Sequence, residues 1–124
     1  MVKIVIPVDV NDTDKAKIFP HFGKAPFFAN VEISGEGKVE KITYMENKGH
    51  HFGGKGHPGL IIAESGANAL IVRNMGSRGI NVMKSCGIKV LTCRSQTLKE
   101  AINEFLKNEA IPLKKPCEEA EQSS

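Results

Sequence analysis

The sequence predicts a single-domain α/β protein in which three helices cover a mixed five-stranded sheet. Three observations favour this class. Five short runs are rich in β-branched and other apolar residues and are bounded by polar or glycine-containing turns. Three further segments carry helix start or stop signals, and in the second half of the chain they alternate with the strand-like runs. The expected order along the 124 residues is therefore β-β-β-α-β-α-β-α.

The first three strands are expected within the first 47 residues. The run "VKIVIPV" at 2–8 is apolar and leads into the polar segment "DVNDTDK". The runs "APFFANVEIS" at 25–34 and "KVEKITYMEN" at 38–47 are separated by "GEGK", whose glycines suit a tight reversal. These two runs are expected to form a β-hairpin.

A βαβ unit is expected in the second half of the chain. Pro58 suits the first position of a helix through "GLIIAES", which should end at Gly66. The apolar run "ALIVR" at 69–73 follows, and then a helical "INVMKSC", a stop at Gly87 and the strand "IKVLTC". Strands connected through a helix in this way should be parallel.

The last helix has the clearest signature. "TLKE" at 97–100 is a capping box, the pattern in which a threonine and a glutamate satisfy the free amides of a helix start. Apolar residues recur behind it at helical spacing: Leu98, Ala101, Ile102, Phe105 and Leu106. From Pro112 onward the sequence has two prolines and no apolar periodicity, which predicts a flexible polar tail at 111–124 after one domain at 1–110.

Composition and charge argue against several protein classes. The net charge of +3 is too small to indicate nucleic-acid binding, and the apolar run at the amino terminus, only seven residues long, is too short for a membrane segment. Cys86, Cys93 and Cys117 show no CxxC spacing, which argues against a zinc ribbon or a redox pair, and their odd number argues against a disulfide framework. A cytoplasmic protein without nucleic-acid or membrane partners is therefore expected.

The charge is unevenly distributed. No acidic residue lies between Glu64 and Glu100, so that part of the chain should attract anions. Six basic residues fall in the same interval: Arg73, Arg78, Lys84, Lys89, Arg94 and Lys99.

The segment "NKGHHFGGKGHPG" at 47–59 contains three histidines and five glycines. Gly54, Gly56 and Gly59 match GxGxxG, but a dinucleotide site also needs a strand that leads directly into the turn and an acidic residue about 20 positions later, and there is none around Gly79. "GHHFGGKG" matches GxxxxGK, but Gly56 stands where a P-loop needs a magnesium-binding hydroxyl. Anion binding by backbone amides around Gly53, Gly54 and Gly56 remains a candidate, whereas nucleotide hydrolysis does not.

The same segment also suits metal binding. His50, His51 and His57 lie close together, and glycine allows the backbone to fold tightly around a ligand. Three imidazoles would suit iron, zinc, copper or nickel, and their number alone does not choose among these metals. A solvated glycine loop whose histidines bind nothing is the alternative.

A further histidine lies in "PHFGKAPFF" at 20–28, in the loop that enters the second strand. This stretch resembles the signature of the dinitrogenase iron-molybdenum cofactor biosynthesis family, and in particular its small stand-alone members similar to NifX or to the carboxyl-terminal part of NifB. The segments "NKGHHFGGKG", "ALIVRNMGSRG", "SCGIKV" and "TLKEAINEFL" resemble later blocks of that family in the same order. The resemblance covers about residues 2 to 110.

The resemblance implies a ribonuclease H-like fold and a carrier that binds an iron-sulfur or iron-molybdenum-type cluster, or its precursor, during assembly or delivery. It makes His21 a candidate metal ligand, and we expect one or two of His50, His51 and His57 to reach the same cavity. A protein that donates or receives the cluster is the implied partner. Nuclease chemistry is not expected, because the acidic residues near the first strand lie together in one loop.

The loop "NMGS" between Arg73 and Arg78 follows a strand and precedes a helix, where open α/β sheets commonly bind ligands. Amides of Gly76 and Ser77, together with the two arginines, would suit an anionic cluster. Cys93 is a weaker candidate for a thiolate ligand, since a lone strand cysteine is usually a small buried apolar residue.

We expect a monomeric carrier and not an enzyme. The alternatives are metal-independent binding of an anionic or phosphorylated small molecule, and a regulatory interaction domain.

Overall fold

The computed structural model describes residues 2–47, 62 and 64–113. These residues contain two α-helices with both ends described, α1 (Ser77–Ser85) and α2 (Leu98–Leu106), and a 3-10 turn at Phe22–Lys24. They also contain six strands: β1 (Val2–Val8), β2 (Phe27–Ile33), β3 (Val39–Glu46), β4 (Ala69–Ile71), β5 (Lys89–Thr92) and β6 (Ile111–Pro112). The strands form one mixed sheet of order β3-β2-β1-β4-β5-β6.

The strand β1 lies at the centre of the sheet, and its apolar side chains are buried on both faces from Ile4 to Val8. It pairs antiparallel with β2 and parallel with β4, which is itself parallel to β5. The hairpin of β2 and β3 turns through Gly37, whose φ of +83° favours glycine. One extra residue, Glu40, is accommodated where the register of this hairpin shifts.

Each face of the sheet carries its own hydrophobic core. One core lies between the sheet and α2, from which Leu98, Ala101 and Ile102 are buried. The other lies on the α1 face, where Ile80 and Met83 of α1 pack with buried residues of the sheet. Strands that are covered on both faces read as continuous apolar runs, as β1 and β4 do.

Each of the five predicted strands is present, and the strands of the βαβ unit are parallel as predicted. The predicted total of five is wrong, because the described sheet has six strands. Ile111 and Pro112 form a sixth strand against β5. A two-residue strand is too short to show alternation, and proline is tolerated there because β6 lies at the edge of the sheet. Of the three predicted helices, two are described with both ends. For the first, Ile62 and Glu64 are helical, and its predicted start at Pro58 lies outside the described residues.

The predicted helix boundaries are confirmed at the capping box. The side chain of Thr97 accepts a hydrogen bond from the backbone amide of Glu100 (3.2 Å), and its hydroxyl donates to the Glu100 carboxylate (2.9 Å). Gly66 and Gly87 have positive φ angles at the predicted stops. The helix α1 starts at Ser77, three residues before the predicted run. The apolar pattern did not indicate this first turn, because Ser77, Arg78 and Gly79 carry no apolar side chain. Neither described helix has the length and apolar character needed to cross a bilayer.

Candidate functional site

The candidate functional site lies at the edge of the sheet where β1, β4 and β5 end, which we call the carboxyl edge. Val8 pairs with Phe27, and Phe27 pairs with Glu46, so β2 begins and β3 ends at this same edge. The loops at 9–26, 72–76 and 93–97 and the residue Asn47 therefore converge there. From β1 the chain continues to β2 on one side, and from β4 it continues to β5 on the other side. Open α/β sheets usually bind ligands at the edge where the connections diverge in this way.

His21 precedes the 3-10 turn at this edge, and its side chain is exposed. The backbone carbonyl of His21 accepts a hydrogen bond from the amide of Lys24 (3.0 Å), which closes the turn. The next residue, Phe22, is buried and packs on Phe28 of β2 with 5.5 Å between ring centroids. The phenylalanine thus anchors the turn, while the neighbouring imidazole stays accessible.

Asn47 holds the His21 turn from the other side of the hairpin. Its side chain is buried, and its Nδ2 donates to the carbonyl oxygens of Gly23 (3.1 Å) and Ala25 (2.9 Å). Its backbone amide donates to the carbonyl of Pro26 (3.0 Å). The turn that carries His21 is therefore fixed to the end of β3, where the segment with the other three histidines begins.

The loop between β4 and α1 contributes the start of a helix. Gly76 is the N-cap residue, and the first turn of α1 carries no acidic side chain. Met75 is buried beneath this turn, and a Cβ atom on Gly79 would lie 2.8 Å from the Met75 Cε. The absence of a side chain at Gly79 thus allows Met75 to pack closely. Ser77 and Arg78 are exposed on the first turn, where helix amides and a positive side chain favour anions.

The His21 turn and the start of α1 share one hydrophobic core. Phe22 and Ala25 of the turn belong to the same cluster of buried residues as Met75 and Ile80. Both loops therefore lie on the α1 face of the sheet at its carboxyl edge. The His21 turn and the "NMGSRG" loop are thus packed on one side of the sheet.

Arg73 and Cys93 lie toward the other face. The Nη1 atom of Arg73 donates to the carbonyl of Ser95 (3.3 Å) in the loop after β5. Cys93 packs against the α2 core, and its thiol donates weakly to the same carbonyl at 3.8 Å. Burial raises the pKa of the Cys93 thiol, which disfavours the thiolate needed for metal binding. The structure therefore separates Cys93 from the His21 turn and weakens its case as a ligand.

The acidic loop after β1 has structural partners. The Asp9 carboxylate accepts from the backbone amide of Lys17 (2.9 Å), and Asp12 accepts from the amide of Asp14 (3.0 Å). Asp14 forms an ion pair with Lys99 at 2.6 Å. These carboxylates shape their own loop and connect it to α2. They do not form the group of acidic ligands that a nuclease would need.

Among the described residues, no three histidine, cysteine, aspartate or glutamate side chains lie close enough together to hold a metal ion. His21 is thus a single exposed imidazole in this part of the chain. The predicted ligands His50, His51 and His57 lie outside the described residues. The same is true of the predicted anion-binding glycines Gly53, Gly54 and Gly56.

Sequence reasoning missed two residues of this edge, Asn47 and Met75. Asn47 is the last residue of the predicted third strand and the first of the glycine-rich segment, and neither pattern marks it as buried. Its partners lie 22 and 24 positions earlier in the chain. Met75 lies between polar and glycine residues, and no periodic pattern marks it as buried. The signal that would have found Asn47 is that β2 begins and β3 ends at the same edge, which brings Asn47 beside the loop that enters β2.

Comparison with known proteins shows the family and the fold. A family model described as dinitrogenase iron-molybdenum cofactor matches residues 2–108. An uncharacterized protein of Methanocaldococcus jannaschii is 35% identical over 109 residues, which is 86% of each chain. The apo form of the orange protein from Desulfovibrio gigas superposes with a TM-score of 0.76 at 21% identity, covering 94% of this chain and 96% of that one. A Thermotoga protein described as a candidate NifB superposes with a TM-score of 0.73 at 23% identity, covering 91% and 94%.

Proposed function

Because the chain belongs to the dinitrogenase iron-molybdenum cofactor family, we propose that it is a carrier that binds an iron-sulfur or iron-molybdenum-type cluster at its carboxyl edge. The carrier would hold the cluster or its precursor during assembly and release it to a recipient protein. The cluster is its cargo, and no chemical conversion by the carrier is required. The family description names a cofactor and no reaction.

The observation that carries the proposal is the shared packing of two loops at one edge of the sheet. The exposed His21 precedes the 3-10 turn whose Phe22 packs into the core on the α1 face, and the positive start of α1 lies on the same face. An imidazole supplies a metal ligand, and helix amides with Arg78 favour the negative charge typical of sulfide-bridged clusters. A ligand and an anion site on one face suit a single anionic metal cargo.

The remaining ligands are proposed from the segment that follows β3. His50, His51 and His57 come after Asn47, which is bonded to the His21 turn, so their segment starts beside the candidate ligand. We include the amides of Gly53, Gly54 and Gly56 as groups that contact the cargo. The predicted site residue Arg73 is left out of this set, because it lies toward the other face and donates to Ser95. Noncovalent binding by a few imidazoles would allow release when a recipient offers stronger ligands.

Anaerobic reconstitution with iron and sulfide tests the proposal. The wild-type protein should take up a stoichiometric amount of both, with visible absorption, and His21→Ala should lose most of that uptake. Lys24→Ala is the matched control, because Lys24 is exposed in the same turn and offers no imidazole. Absence of uptake by the wild type, or equal uptake by His21→Ala, would overturn the proposal.

Metal-independent binding of an anionic or phosphorylated small molecule is the second candidate. It is favoured by the start of α1, which has the N-cap Gly76, no acidic residue in its first turn and the exposed Arg78. Inorganic phosphate should then bind to metal-free protein, and Arg78→Ala should weaken that binding. His21→Ala should leave it unchanged, which separates this function from cluster binding.

The order of the sheet supports the ribonuclease H-like assignment implied by the resemblance, since an antiparallel β2 and β3 adjoin a parallel β1, β4 and β5. We further propose that the carrier is a cytoplasmic monomer that meets its donor and recipient transiently. Light scattering at micromolar concentration checks the monomer, and a stable dimer would contradict it.

A further inference from the structure

We propose that Asn47 is a positioning residue, which sets the orientation of the His21 turn and thereby the affinity for the cargo. This inference rests on the proposed function, in which His21 is a ligand. In this inference Asn47 does not contact the cargo itself, and it acts through the backbone of the turn. Its role follows from the hydrogen bonds that Asn47 makes.

Asn47 is 2% exposed and spans the two strands of the hairpin at its open end. Its Nδ2 carries two protons and donates to two carbonyl oxygens, those of Gly23 and Ala25, at 3.1 and 2.9 Å. Its backbone amide donates to the carbonyl of Pro26 at 3.0 Å. Three carbonyl groups within four residues are thus held by one asparagine.

The His21 turn has few bonds of its own. Within the turn, the amide of Lys24 donates to the carbonyl of His21 at 3.0 Å, and that of Ala25 donates to Phe22 at 3.4 Å. A 3-10 turn of this length has poor hydrogen-bond geometry and depends on outside contacts. Phe22 fixes one side of the turn in the core, and Asn47 fixes the carbonyl groups that follow it.

Asparagine is the side chain that this position requires. Aspartate has the same shape but no amide protons, so its oxygen would face the two carbonyl oxygens at under 3.2 Å and repel them. Serine retains one donor and would satisfy one carbonyl at most. Residues that hold a metal ligand in orientation without touching the metal typically change affinity by about 10- to 100-fold when they are replaced.

The experiment compares Asn47→Asp and Asn47→Ser with Asn30→Asp. Asn30 is the matched control, because it is the other buried polar residue in the described part of the chain and lies on β2, three residues from the start of that strand. Amide and imidazole NMR resonances of His21 to Ala25 report the turn without any cargo. Retention of reconstituted iron and sulfide reports the affinity, and denaturant unfolding reports stability.

Asn47→Asp should shift the resonances of the turn and weaken cargo retention by about 10- to 100-fold, with a smaller loss in Asn47→Ser. Asn30→Asp should leave the turn resonances unchanged at a comparable loss of stability. Unchanged turn resonances in a folded Asn47→Asp or Asn47→Ser would overturn the inference, as would equal cargo loss in Asn30→Asp. If the wild type takes up no cluster, the proposed function fails, whereas the NMR comparison still decides whether Asn47 positions His21.

Discussion

The carboxylate of Glu104 on α2 holds the loop after β5 through Ser95. Its Oε2 accepts a hydrogen bond from the Ser95 hydroxyl, and its Oε1 accepts from the backbone amide of Arg94 at 3.1 Å. The carbonyl of Ser95 in turn accepts from the guanidinium of Arg73 at 3.3 Å. Glu104 therefore links α2 to the loops that follow β5 and β4 at the carboxyl edge.

Removing this carboxylate should destabilise the protein. Glu104→Ala deletes two charge-assisted hydrogen bonds from a half-buried side chain, and we expect a loss of about 1 to 3 kcal/mol in the free energy of unfolding. Denaturant unfolding followed by circular dichroism measures it. Glu109→Ala is the matched control, since Glu109 is exposed and should change stability by less than about 0.5 kcal/mol. Equal effects of the two changes would contradict the role given to Glu104.

The ion pair between Asp14 and Lys99 should be visible in the titration of Asp14. The hydrogen bond and the charge of Lys99 lower the pKa of the Asp14 carboxyl, and the same contact raises the pKa of Lys99. The Asp14 contribution to stability is therefore present above the unfolded-state pKa of about 4 and is lost as the pH falls through the lowered value. The Lys99 contribution is present below about pH 10.4 and is lost as the pH rises through the raised value.

Lys99→Gln should return the pKa of Asp14 toward its ordinary value, as measured by NMR titration of the carboxyl carbon. Both side chains are mostly exposed, at 77% for Asp14 and 58% for Lys99, so molar salt should reduce the shift in the wild type. Lys107→Gln on the same helical segment is the control and should leave Asp14 unchanged. An Asp14 titration that is identical in wild type and Lys99→Gln would rule out the contact in solution.

The elements that sequence reasoning predicted are those with local signals. The strand β1 is an unbroken apolar run, and α2 begins with a threonine whose cap partner is three residues away. The position of His21 in the loop that enters β2 was also predicted from the local sequence. The contacts of Asn47 and Glu104 did not, because their partners are 22 to 24 and 9 to 10 positions away and depend on how strands and helices pack. The strand β6 was missed because two residues carry no periodicity.

Glycine at position 87 should be needed for the end of α1. Its φ of +76° lies in the left-handed region, although no atom crowds the place that a Cβ would take. Gly87→Ala should therefore lower the free energy of unfolding by about 1 kcal/mol through backbone strain alone. Gly35→Ala is the matched control, because Gly35 is equally uncrowded but has no positive φ. Thermal and denaturant unfolding measure both, and a neutral Gly87→Ala would contradict the strain.

The two described cysteines should differ in reactivity. Burial raises the pKa of the Cys93 thiol, with a further increase from the nearby charge of Glu104, whereas Cys86 is exposed after α1. Because the thiolate is the reactive form and Cys93 is also less accessible, Cys93 should be alkylated by iodoacetamide more slowly than Cys86 at pH 7.5. The measurement is peptide mapping by mass spectrometry in a Cys117→Ser background.

In Glu104→Gln the alkylation rate of Cys93 should rise, since a negative charge that opposes thiolate formation is removed. Equal rates at the two cysteines in folded protein would show that Cys93 is accessible at the carboxyl edge, and would return it to the set of candidate ligands for the cargo.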